Sequence, residues 1–229
     1  MSTTAATRIA GLRGRATIRR DSFGIPHVEA ASEHDAWLAM GFACAEDRLW
    51  QMEWYRLRGE GRWAAIAGPS GVEDDLFFRR LDLAEAARAE VAAMSAATAA
   101  MFEAYARGVN AFLASGAPLP LEFRLTATRP QPWEPWHSVL VFKVRHAVMG
   151  KVALKLARTE LLRRVGREAY AKLEGSPPPP EPLILPPGGR VALPAGCDGS
   201  NSWAVHGSRT TSGAPVLCND SHRPLDVPN

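Results

Sequence analysis

In the stretch from Ala195 to Gly207, AGCDGSNSWAVHG, a serine follows directly on a glycine as Gly199-Ser200. A serine hydroxyl becomes a nucleophile only when a base takes its proton, and a base works best with a pKa near the operating pH. A free α-amino group, at about 7.7 to 8.0, meets that requirement. Cutting the peptide bond between Gly199 and Ser200 would put nucleophile and base on one residue. Gly199 lacks a Cβ, so the chain can take the strained geometry in which the Ser200 hydroxyl reaches the preceding carbonyl. The same dipeptide also fits a plainer role, the start of a strand beside a turn.

The elements around the pair decide what it can meet. Two alternating runs, 202–208 and 214–219, flank the segment RTTSG and read as a β-hairpin. With its loop centred near Thr211 or Ser212, residues equally far on either side face each other, which brings Ser200 within a few residues of His222. A histidine there could orient the amine or pass a proton, or simply be exposed at a hairpin end. Upstream, SPPPPEPLILPPGGRVALPAG excludes helix by its prolines and reads as an exposed linker open to proteolysis. It is the segment that a cut before Ser200 would release.

Farther back the pattern turns helical. The run RDSFGIPHVEA suggests two short strands around Ser22-Phe23-Gly24. Ser32 opens a capping signal, and Trp37, Met40, Cys44, Leu49, Met52 and Tyr55 recur at helical spacing to an end near Gly59–Gly61. An alanine-rich helix is predicted over 83–113, an irregular connection through PLPLEF and RPQPWEPWHS, and a third helical region over 138–173. Trp37, Leu49, Met52 and Phe112 are expected on buried faces.

Composition narrows the class. The 229 residues are 46% hydrophobic and 22% charged, with a net charge of +3, which fits a globular chain with a core. Its arginines are scattered through helical stretches rather than gathered on one basic face, so they read as solvated surface and nucleic acid is not an expected partner. No segment approaches the roughly 18 apolar residues of a membrane span, and the N-terminus shows no signal peptide, so a cytoplasmic location is expected. Cys44, Cys197 and Cys218 stand in no metal-ligand spacing and read as buried free thiols.

Six blocks stand in order along the chain: RDSFGIPHVEA, HDAWLAMGFACAEDRLWQMEWYRLRGEGR, YARGVNAFL, LPLEFRL, RPQPWEPWHS and GSNSWAVHGSRTTSG. In these the chain resembles the penicillin acylase family of N-terminal-nucleophile hydrolases. The resemblance implies an α+β fold: a mainly helical α-chain plus the first β-hairpin of an αββα sandwich. It implies an α-chain over 1–173, a spacer over 174–199 and the start of a β-chain over 200–229. Ser200 matches the serine that becomes the N-terminal nucleophile after self-cleavage. In NDSHRPLDVP, the cephalosporin and glutaryl acylase branch has a histidine at the His222 position, with Asp220-Ser221-His222 here replacing the usual Asp-Pro-His. The helix after PWEPWHS contributes to the acyl pocket in relatives, which places His146, Met149 and Gly150 near substrate; Met149 equally suits the core.

The implied activity is hydrolysis of a linear amide in a small-molecule substrate through an acyl-enzyme, with β-lactam antibiotics and acyl-homoserine lactones as substrate classes. No cofactor is implied. Many relatives hold calcium through a glutamate on the same helix, but Lys155 or Leu156 occupies that position here and Glu160 is the nearest acid, so no metal is expected. Relatives run several hundred residues past the nucleophile, so the remainder of the β-chain is an expected partner. The rival reading is an inactive truncated product serving only as a partner chain. A free-standing Ser-His-acid hydrolase is disfavoured because no Gly-x-Ser-x-Gly elbow is present.

Overall fold

The computed structural model describes residues 9–149, 152–175 and 200–221. The chain divides into two compact units, Met1–Gly150 and Lys151–Asn229.

The first unit opens with strands β1 (Ala16–Arg20) and β2 (Pro26–Ala30), paired antiparallel. Asp21 makes the turn by accepting from the backbone N–H groups of Phe23 (2.9 Å) and Ile25 (3.0 Å), and Gly24 takes φ +80°, a value that favours glycine. Helix α1 (Glu33–Gly59) begins where Ser32 Oγ accepts from the Asp35 N–H at 3.2 Å, and it bends at Arg48 (φ −135°, ψ 16°). Its start and end agree with the sequence reading. Short helix α2 (Ala64–Ala67) and helix α3 (Val72–Leu81) follow and were not foreseen.

The alanine-rich segment is two helices rather than one, α4 (Leu83–Ala92) and α5 (Ala96–Ala114). Ser95 breaks it: its backbone is extended and its hydroxyl accepts from the Thr98 N–H at 3.2 Å, so a local cap wins over alanine's helix preference. The predicted irregular connection contains α6 (Leu121–Leu125), and α7 (Pro135–Met149) completes the unit. Asn110 of α5 pins that connection, accepting from the Trp133 N–H (2.7 Å) and donating to the Trp133 carbonyl (2.9 Å).

Helices α1 and α5 cross where each has a glycine. A Cβ on Gly41 would run into the Tyr105 carbonyl, and one on Gly108 into the Leu38 carbonyl. That approach buries Ala45, Leu49 and Met52 of α1 with Ala106, Val109 and Phe112 of α5, Phe123 of α6 and Trp133. Leu49, Met52 and Phe112 are thus in the core as expected. The buried stripe of the first half of α1 runs through Leu38, Ala39, Gly41 and Ala45 instead of Trp37 and Met40: Trp37, expected on a buried face, is only half-buried, and Met40 is 41% exposed.

The second unit holds α8 (Val152–Glu174), broken at Gly166 (φ 79°), and strands β3 (Ser200–Val205) and β4 (Val216–Ser221). The helical region predicted over 138–173 is α7 and the two halves of α8. Cys44 and Cys218 are free and half-buried; Cys197 and spacer residues 176–199 lie outside the described residues. Among the described residues, no helix is long and apolar enough to cross a membrane.

Candidate active site

Ser200 is exposed and is the first residue of β3. The β3–β4 ladder pairs Ser200 with Ser221, Ser202 with Asn219 and Trp203 with Cys218. This register pairs Ser200 one residue short of the partner expected for a loop centred on Thr211 and three short of that for Ser212, because the turn is built differently. Thr210 Oγ1 lies 2.8 Å from the Ala214 carbonyl oxygen and 3.0 Å from that of Gly207, with its one hydrogen to give to either, and a Cβ on Gly207 would collide with the Gly213 carbonyl. Opposed residues share a face, so Ser200, Ser202, Ala204, Leu217 and Asn219 occupy one side of the hairpin. His222 follows Ser221 in sequence; it, Gly199 and Gly150 lie outside the described residues.

His146 and Met149 belong to the first unit, on the outward stripe of α7. Met149 is 63% exposed, so the core alternative for it is wrong. The His146 ring tilts against Phe142 with 4.1 Å between centroids, and its Nδ1 is 3.1 Å from the Phe142 carbonyl oxygen. Beside it, Arg145 Nη1 donates to the Tyr55 hydroxyl at 3.0 Å and Nη2 lies 3.8 Å from Met149 Sδ. On α8, Glu160 accepts from Arg163 and Arg164, which hold its carboxyl down to about 2. Those pairs occupy the acid nearest the calcium position of relatives.

The start of α7 packs at His137 against buried charges of α1 and its C-cap, where sequence reading assigned the arginines to the surface. Arg56 is 1% exposed and grips Glu53 through Nε (2.9 Å) and Nη2 (2.5 Å) while Nη1 donates to Glu60 (2.7 Å). Burial pushes the guanidinium pKa down, but the two glutamates outweigh it and the net shift is upward. His137, the third residue of α7, accepts at Nδ1 from the Glu134 N–H (2.9 Å) and directs Nε2 toward Glu60 (3.7 Å). Burial, reinforced by the positive charge of Arg56, pushes His137 down to about 4, so the buried ring is neutral. The spacing Glu53-Arg56-Glu60 was the available signal, since residues three and four apart share a helix face.

The profile of the penicillin amidase family matches residues 15–229. The chain belongs to the penicillin amidase family. It is 39% identical to the penicillin acylase 2 proenzyme of Pseudomonas sp. (strain SE83), over 96% of this chain and 32% of that protein. It is 33% identical to the acyl-homoserine lactone acylase QuiP of Pseudomonas aeruginosa, over 96% of this chain and 29% of that one. The chain thus spans about a third of the length of these curated relatives. Among solved structures, the thermostable penicillin G acylase from Alcaligenes faecalis superposes with a TM-score of 0.57 at 27% identity, covering 75% of this chain and 97% of that chain. The mainly helical α+β reading is borne out, and these relatives are acylases.

Proposed function

We propose that this chain is the N-terminal part of a self-processing acylase precursor, with residues 1–173 forming the α-chain, 174–199 a spacer and 200–229 the start of the β-chain. The observation that carries the reading is the position of Ser200. It opens an exposed strand, and a family match runs through it. The solved acylase chain, meanwhile, is matched almost completely by three quarters of this one. A proenzyme among the relatives supports the same reading.

In the first step, Ser200 Oγ adds to the Gly199 carbonyl carbon, the Gly199–Ser200 C–N bond breaks and an ester joins Gly199 to Oγ. Water hydrolyses that ester, leaving a carboxylate on Gly199 and a free α-amino group on Ser200. In catalysis the amine accepts the Oγ proton as Oγ adds to the substrate amide carbonyl. The proton passes to the departing amine as the C–N bond breaks, and water then hydrolyses the acyl-enzyme. His222 orients the amine or relays its proton, while His146, Met149 and Gly150 border the acyl group. The candidate substrates are acyl amides of the kinds that relatives are named for, penicillins and acyl-homoserine lactones.

Amine release from a panel of penicillins and acyl-homoserine lactones by the processed full-length protein tests this function. Ser200→Ala should release none. Turnover that survives Ser200→Ala would remove Ser200 from the chemistry.

A further inference from the structure

Residues 119–129 fold around a small hollow that the proposed chemistry does not use. Its volume is about 320 Å³, at the small end of the range for ligand pockets, and Leu119, Phe123, Arg124, Ala127, Thr128 and Arg129 line it. The chain closes on itself there. The Glu122 carbonyl accepts from the Thr126 N–H (2.9 Å) and from the Thr126 hydroxyl (2.8 Å), and the Thr128 N–H returns to the Phe123 carbonyl at 3.0 Å. Ala127, at φ 52°, turns the backbone between them, and Arg124 on α6 and Arg129 beyond it border one space.

The charge of the hollow is unbalanced. Arg124 and Arg129 are exposed, and among the described residues no acid lines the hollow with them and neither guanidinium has a hydrogen bond, ion pair or ring partner. In the same unit Arg20, Arg56, Arg58 and Arg62 are each held by a carboxylate. An unpaired guanidinium offers a planar fork of donors that matches a carboxylate. Thr128 adds no donor: Thr126 gives its hydrogen to the Glu122 carbonyl, so the Thr128 hydroxyl donates to Thr126 Oγ1 at 2.8 Å. Leu119, Phe123 and Ala127 complete the lining and are apolar, so they gain from covering a hydrocarbon body and nothing from a bare anion.

We infer that this hollow binds a small monocarboxylate with an apolar tail, the carboxylate held by Arg124 and Arg129 and the tail laid against Leu119, Phe123 and Ala127. The site lies wholly within the first unit and is independent of Ser200.

Calorimetric titration of the full-length protein with octanoate, 1-octanol and inorganic phosphate tests it. Octanoate should bind, and octanol and phosphate, each lacking one half of the ligand, should bind far more weakly. An exposed ion pair is worth up to roughly fivefold in affinity. Arg124→Gln and Arg129→Gln should therefore each weaken octanoate binding severalfold, and the double variant should multiply the two losses. Replacing both by lysine, which keeps the charge without the fork, should keep part of the binding. The two side chains are exposed and unpaired, so the fold does not depend on them. Octanoate binding that is unchanged in the double glutamine variant, octanol or phosphate binding as tightly as octanoate, or a parent that binds no octanoate would overturn the inference.

Discussion

The buried His137 makes acid stability a quantitative prediction. Its side chain is 4% exposed and faces Glu60 and Arg56 from the α1 end, Arg88 from α4 and Glu134 from its own helix start. The folded-state pKa of about 4 lies below the ordinary histidine value of 6.5, so the unfolded chain binds a proton that the folded one resists. Between pH 6.5 and pH 4 the unfolded state therefore carries more protons, and stability falls as pH falls. At about 1.4 kcal/mol per unit, the full contribution is about 3 kcal/mol, present above pH 6.5 and gone by pH 4. His137→Gln removes the titration and keeps an acceptor at the third helical position, where glutamine can reach back to the Glu134 N–H as histidine does. Urea midpoints of parent and variant, measured across this range, should show the parent losing about 3 kcal/mol more than the variant. An NMR titration of the ring should give a midpoint near 4. Parallel pH profiles for the two proteins would refute the assignment, because His137 would then titrate alike folded and unfolded.

Three other outcomes follow from particular residues. Ala127 sits at φ 52°, one residue beyond the α6 cap, with the Thr128 N–H returning to the Phe123 carbonyl; Ala127→Gly should stabilise by about 1 kcal/mol, read as a higher melting temperature. Gly108→Ala should destabilise by about 3 kcal/mol or more, since its Cβ meets the Leu38 backbone rather than a side chain that can turn aside; denaturant titration checks it. His222→Ala in the full-length enzyme should lower turnover roughly a hundred- to ten-thousandfold with melting little changed, and unchanged turnover would leave His222 a surface residue.

Much of the scaffold was legible because it is written in local signals. Ser32, the Asp21–Gly24 turn and the glycines after α1 mark boundaries by side-chain and backbone chemistry within a few residues. The large core residues Leu49, Met52 and Phe112 were legible, but the close crossing of α1 and α5 was not, because it is made at Gly41 and Gly108, which carry little hydrophobic signal while permitting close approach. Nor was the burial of Glu53, Arg56 and His137, since a charge run reads as solvated until its partners on another helix are known. For the candidate site, the hairpin was visible in its alternation, but its register depended on how Thr210 and Gly207 build the turn.

Cleavage between Gly199 and Ser200 is the step on which the catalytic reading depends. Intact mass and N-terminal sequencing of the full-length precursor after expression test it directly. Two chains should appear, the second beginning Ser-Asn-Ser-Trp, while Ser200→Ala should remain a single uncut chain. A second chain beginning at any other residue, or a Ser200→Ala precursor cut as the parent is, would contradict it.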